Sequence, residues 1–72
     1  MEQFQLLDIV ALLEPHEAYN LQKGQVGTIV EILLENKMFL VEFANKQGET
    51  IALVPLEDSQ LLLLHLNAEI AA

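Results

Sequence analysis

The sequence predicts an all-β fold, a small and partly open barrel of five short strands, with a small sandwich as the alternative. Three observations support this class. Short apolar runs recur at close spacing, turn-forming Gly, Asn and Pro residues separate them, and the runs are rich in β-branched or alternating apolar residues. At 72 residues the chain has room for a single domain, which we expect to span residues 1–72 with a core at about 6–66 and a disordered tail at 67–72.

The first strand is predicted at residues 8–13, ahead of a loop at 14–20 that contains Pro15. Proline restricts the residue before it to extended conformations, which suits a loop that leaves a strand. Gly24 and Gly27 then precede a second strand that includes β-branched residues from Thr28 to Ile32. Because glycine has no Cβ atom, this pair predicts a sharp entry into the strand, with Gly27 at a positive φ or against a neighbouring strand.

The third strand is predicted from strict alternation after a polar turn at residues 35–37. Asn36 is expected in the left-handed region that a tight hairpin requires. Two sets of side chains then point to opposite faces: Phe39, Val41 and Phe43, against Met38, Leu40 and Glu42.

A type I turn is expected next, with Asn45 first and Gly48 fourth. The fourth strand follows at residues 49–54, and Pro55 is expected to end it because proline lacks an amide hydrogen. The predicted core side chains are Val10, Leu12, Ile29, Val41, Phe43, Ile51 and Leu53.

The last element is predicted as a strand at residues 61–66, after a short turn or a single 3-10 turn at 56–60. Short leucine-rich runs also suit a helix, so a helical segment at 60–71, which would make the domain α+β, is the alternative.

The balance of apolar and charged residues bears on partners. Hydrophobic residues make up 53% of the chain, although its formal net charge is −8. Strands of so small a barrel cannot bury both faces, and an exposed apolar patch with a charged rim is typical of a protein-binding surface. We expect the contact residues to be Tyr19, Met38, Leu40 and Glu42.

The sign of the charge narrows the class of partner. Only Lys23, Lys37 and Lys46 are basic, and all three are predicted in turns. Nucleic acids and anionic membranes require clustered cations, so we expect neither as a partner. A basic protein is favoured electrostatically, whereas the alternative is that the charge only keeps the chain soluble. The acidic amino-terminal stretch lacks the features of a secretory signal, which leads us to expect a cytoplasmic protein.

Residues that could carry chemistry are sparse, and we predict no enzyme, no cofactor and no metal site. The chain has no cysteine, and its two histidines lack a recognised ligand spacing. Glu14, His16 and Glu17 lie in a loop, where polar residues are ordinary. Ser59 has Asp58 beside it but lacks the glycines of a nucleophile elbow.

The segment KGQVGTIVEI followed by MFLVEF, residues 23–43, resembles the G-x-x-G-x-V core of SH3-like barrels of the KOW type in ribosomal and transcription proteins. That resemblance implies an SH3-like form of the predicted barrel. KOW modules that bind RNA are basic, whereas this chain is acidic, so the resemblance does not carry RNA binding with it.

Residues 6–66 also resemble a family of small bacterial proteins classified only as a domain of unknown function. The matching motifs are LLDIVALL at 6–13, Leu21 with GQVGTIV at 24–30, VEF at 41–43 and LLLL at 61–64. Some members are encoded beside small partner genes of toxin-like type. The resemblance therefore implies a binding or neutralising role, such as an antitoxin-like inhibitor of a basic protein, and no catalytic residue. A self-associating structural or accessory subunit, such as a homodimer, is the second hypothesis.

Overall fold

The computed structural model describes residues 4–64, which form one antiparallel sheet of five strands. The strands are β1 (Ile9–Leu12), β2 (Val26–Leu34), β3 (Met38–Ala44), β4 (Thr50–Glu57) and β5 (Leu61–Leu64). Two 3-10 turns, Glu17–Tyr19 and Asp58–Gln60, lie before β2 and β5. No α-helix occurs within the described residues.

The strand order is β4-β3-β2-β1-β5, so β1 lies between the second and last strands while β4 and β5 form the two edges. This order, with a 3-10 turn ahead of the last strand, is that of an SH3-like barrel that remains open. The all-β prediction is confirmed, as is the 3-10 turn before β5. The helical alternative for residues 60–71 is wrong over Leu61–Leu64, whereas residues 65–71 and the predicted tail at 67–72 lie outside the described residues.

The hairpin turns have the predicted chemistry. Asn36 has a φ of 62°, in the left-handed region, and connects β2 to β3. Between β3 and β4, the amide of Gly48 donates to the carbonyl of Asn45 at 3.0 Å, which closes the predicted turn. The Asn45 side-chain oxygen also accepts from the amides of Gln47 and Glu49, at 3.0 and 2.9 Å. Such local side-chain bonds are the reason asparagine favours turns.

The two glycines before the second strand have different roles. Gly24 has a φ of 84° in the turn that leads into β2. Gly27 lies within β2, opposite Val10, where a Cβ atom would stand 2.7 Å from Val41 Cγ1. Of the two possibilities predicted for Gly27, close approach of a neighbouring strand is therefore the correct one.

The core lies on one side of the sheet. Its fully buried members are Val10, Ile29, Phe39, Phe43, Val41, Val54 and Leu56, and Leu12, Leu21 and Leu61 complete it. The ring of Phe4 packs over Phe39 with centroids 5.2 Å apart. Five of the seven predicted core residues are confirmed, all of them in β1, β2 or β3.

The two core predictions in β4 are wrong. Ile51 and Leu53 are 51% and 49% exposed, and the buried residues of that strand are instead Val54 and Leu56. The cause is a β-bulge beside the turn: Phe43 pairs with Ala52 and Ala44 with Thr50, which leaves Ile51 as an extra residue. One inserted residue moves every following side chain to the opposite face.

The prediction that Pro55 ends the fourth strand is also wrong, because β4 continues to Glu57. Asp58 N donates to Lys37 O at 2.9 Å, and bonded pairs alternate along an antiparallel ladder. The nitrogen of Pro55 therefore faces away from β3, towards the free edge of the sheet. At such a position proline sacrifices no ladder hydrogen bond.

A strained turn precedes β1 and allows a test of backbone conformation. Leu7 has a φ of 71° and is 73% exposed, so its side chain gains little from packing. The left-handed region of backbone conformation costs most non-glycine residues about 1–2 kcal/mol, and the cost is smaller for asparagine. We expect Leu7→Asn to raise the free energy of unfolding by about 0.5–1 kcal/mol in urea titrations. Leu6→Asn, in the same turn at 56% exposure, is the matched control and should give no gain.

Candidate interaction surface

The candidate site is built on the outward-facing side of β3, where Met38, Leu40 and Glu42 follow one another at every second position. All three are half-buried, because the neighbouring strands flank them. The alternate residues Phe39, Val41 and Phe43 point into the core and hold the strand in place. We call the outward side of β3, with its partners on β2 and β4, the β3 face.

The sheet register determines which side chains border each of these residues. Glu42 lies between Thr28 of β2 and Leu53 of β4, and Leu40 lies between Glu31 and Pro55. Met38 lies between Leu34 and Glu57. Apolar side chains therefore occupy every row of the β3 face, and a carboxylate occupies each row as well.

The charges on the three strands of this surface share one sign, whereas Lys37 lies in the turn at one end of it. Glu31, Glu42 and Glu57 lie on three adjacent strands, and the Thr50 hydroxyl donates to the carboxylate of Glu42. The three lysines are confined to turns, as the sequence predicts. The β3 face thus combines apolar contact area with negative potential, which suits an amphipathic and basic surface on a partner.

A shallow cleft of 270 Å³ lies at one end of the β3 face. Leu34 and Met38 supply its apolar wall, and Lys37, Glu57 and Asp58 line the rest. Glu57 N donates to the side chain of Gln60 at 2.8 Å, which anchors the 3-10 turn on this side of the cleft.

Tyr19 is the predicted contact residue that the structure places elsewhere. It lies in the 3-10 turn Glu17–Tyr19 of the β1–β2 loop, where its ring meets His16 edge-on at 5.1 Å. The extensive neighbours of β3 are β2 and β4, so the structure brings together Met38, Leu40 and Glu42 without Tyr19.

Several residues of the β3 face were not predicted from the sequence. Leu53 was expected in the core and Pro55 at the end of a strand, whereas both lie on the outward surface of β4. Glu31 and Glu57 join the surface through register alone. The bulge at Ile51 decides the face on which Leu53 and Glu57 lie, and the register shift between Ile29 and Glu31 does so for Glu31; no turn residue in the sequence indicates either.

The remaining chemical candidates stay apart. His16 forms an isolated bridge with Leu21 in the β1–β2 loop, whereas Ser59 lies in the 3-10 turn before β5. Among residues 4–64, no three His, Asp or Glu side chains converge as metal ligands would. Nor does that part of the chain contain a helix of the length and hydropathy that a membrane crossing requires.

Comparison with known families places this sheet in a wider group. The model of DUF4926, a domain of unknown function, matches residues 6–63. The chain belongs to this family. The matched segment begins in the turn before β1 and ends in β5, so the DUF4926 domain includes all five strands, with only Leu64 of β5 beyond the match. The predicted membership of such a family is confirmed. No curated protein and no solved structure matches the chain.

Proposed function

We propose that this DUF4926 domain is a small protein-binding module whose β3 face contacts a basic protein. The observation that carries the proposal is the row-by-row pairing of apolar and acidic side chains around Leu40 and Glu42. Apolar area supplies the free energy of contact, and the carboxylates select cationic partners and steer their approach.

The proposal includes a particular form, an antitoxin-like role in which the bound protein is neutralised, and a site of action in the bacterial cytoplasm. The role is non-catalytic. We expect neither nucleic acids nor membranes as partners, because lysines in separate turns are the only Lys or Arg side chains among the described residues. Mobility-shift titrations with duplex DNA and RNA at physiological salt should accordingly give no complex.

Identification of the partner requires a bait and a matched control bait. Full-length chain and a Leu40→Ala, Glu42→Lys double variant would be immobilised in parallel and exposed to native extract of the source cells. We expect mass spectrometry to find a basic protein that the natural chain enriches and the double variant does not. If both baits retained the same proteins, the β3 face would not be the surface that binds them.

Binding kinetics with the captured protein separate the two components of the surface. Glu42→Lys reverses a charge at the centre of the face, so we expect a slower association rate that no longer falls as steeply with salt. Leu40→Ala removes apolar contact, so we expect faster dissociation at an unchanged association rate. Surface plasmon resonance at several salt concentrations measures both rates. If neither substitution changes the association or dissociation rate of the partner, the partner binds elsewhere on the molecule.

A second candidate, a self-associating structural or accessory subunit, is favoured by a different part of the sheet. The observation that favours this second candidate is the leucine-rich edge strand β5, which is separate from the β3 face. The two functions are compatible in one molecule, since β3 and β5 are separated by β2 and β1.

A further inference from the structure

The outward surface of β5, β1 and residues 26–28 of β2 contains no charged side chain, whereas Glu31 lies further along β2 on the β3 face. Ile9 pairs with Thr28 on one side and Leu64 on the other, and Ala11 pairs with Val26 and Leu62. These six residues form an uncharged and almost wholly apolar patch on a chain whose net charge is −8. Two copies of so acidic a chain repel each other, and contact is least costly where neither copy presents a carboxylate.

The patch ends at the outer edge of β5, and the direction of the backbone groups there follows from the hydrogen bonds of the β1–β5 ladder. Leu13 N donates to Gln60 O at 2.9 Å, so the bonded pairs of the β1–β5 ladder are Ala11 with Leu62 and Ile9 with Leu64. The N–H and C=O of Leu63 therefore point away from β1. Within residues 4–64, no strand pairs with that side of β5.

The opposite edge of the sheet differs in chemistry. On β4, Pro55 occupies an outward position and offers no N–H, and Glu57 adds a charge. Proline and charged residues are the common means by which proteins prevent edge-to-edge pairing. β5 consists of four leucines and has neither device. Of the two edges, β5 is the one able to accept another strand.

We propose that this protein forms a homodimer in which β5 of one copy pairs antiparallel with β5 of a second copy. Antiparallel pairing of identical strands is related by a two-fold axis, so each copy contributes the same surface and the assembly closes. The Leu63 groups gain partners, and Leu62 and Leu64 of the two copies meet across the axis on the uncharged side. The inference rests on the second candidate function, self-association, and is independent of binding at the β3 face, because the dimer leaves both β3 faces accessible.

The test is sedimentation equilibrium of the full chain from micromolar to millimolar concentration, with two variants of equal exposure. Leu62→Glu, at 50% exposure on β5, places like charges beside the two-fold axis; we expect at least ~10-fold weaker dimerisation. Val26→Glu, at 49% exposure on β2, adds the same charge to the same side two strands away and should change dimerisation little. Circular dichroism would verify that both variants fold.

The salt dependence of dimerisation is a second readout, and we expect it to be opposite to the salt dependence of partner binding. Added salt screens the repulsion between acidic copies, so the dimer should strengthen, whereas binding of a basic protein should weaken. Hydrogen exchange of the Leu63 amide should slow as protein concentration rises.

Either of two results would overturn the proposal. One is a monomer at every concentration with a concentration-independent Leu63 amide, as expected if the chain's own residues 65–72 or another protein occupied the edge. The other is equal loss of association in both variants, which would indicate packing through the apolar patch and not pairing of β5.

Discussion

Replacement of Phe43 by Ala should leave the protein largely unfolded at room temperature. Phe43 is fully buried on the core side of β3, beside Gly27 of β2 and opposite Ala52 of β4. Truncation of a buried phenylalanine costs about 3–5 kcal/mol, through lost burial and the cavity that remains. A core in a domain of this size supplies about the same amount in total. Urea titration followed by circular dichroism would measure the loss.

The control for this prediction is Ile51→Ala, which truncates a large apolar side chain on the neighbouring strand. Ile51 is the extra residue of the bulge and is 51% exposed, so the free energy of unfolding should fall by less than ~1 kcal/mol. A Phe43→Ala variant that melts at the original temperature would place this ring outside the core. An Ile51→Ala variant as damaged as Phe43→Ala would contradict the register of β4.

Substitution of Gly27 by Val should have the second largest effect. A Cβ atom at this position would stand 2.7 Å from Val41 Cγ1, 2.9 Å from Glu42 O and 2.9 Å from Phe43 Cδ1. These distances are too short, and two of the obstacles are core side chains while the third is backbone. We expect β2 and β3 to separate locally, at a cost of about 3 kcal/mol or more, measured as a lower urea midpoint.

Gly24→Asn is the matched control. A Cβ atom at Gly24 would meet no neighbouring atom, but the residue has a φ of 84°. A substitution there is therefore limited by backbone conformation and not by steric contact. Asparagine tolerates this region better than other residues, and the change should cost less than ~1 kcal/mol. If Gly27→Val proved no more damaging than Gly24→Asn, close approach of β3 would not be the constraint at Gly27.

The elements predicted correctly are those whose information is local. Asn36 adopts the left-handed conformation of a tight turn, and the Asn45–Gly48 turn is closed by hydrogen bonds within a few residues. Strand β3 alternates without interruption from Met38 to Phe43. Both features can be read from sequence because turn chemistry and period-two alternation depend on neighbours along the chain. The family resemblance over residues 6–66 is confirmed by the family match, which covers residues 6–63.

The failures concern information that exists only in the assembled sheet. The bulge at Ile51 reverses which side chains of β4 face the core. The apolar residues 51–54 are equally compatible with either register, so the sequence alone does not choose between them. Pro55 is permitted in β4 because that strand lies at an edge, and strand order is not local information. The same error removed Leu53 from the predicted interaction surface, whereas Met38, Leu40 and Glu42 were predicted because they share the regular strand β3.

The two proposed surfaces lie on separate parts of one sheet. The β3 face combines carboxylates with apolar side chains, and the β5 edge is apolar and uncharged. A dimer through β5 would carry two β3 faces, so it would present two sites to a partner. If that partner were itself multivalent, the pair of sites would raise the effective concentration for the second contact.

The central claim is that the β3 face is the surface on which a basic protein binds. It is tested most directly by amide and methyl chemical-shift mapping of the isotope-labelled chain during titration with the captured partner. The account predicts that the largest changes fall on Met38, Leu40, Glu42 and their neighbours Leu53 and Glu57, with the core of β1 unchanged. Changes centred on the β1–β2 loop or on the β5 edge, with the β3 face unaffected, would contradict it.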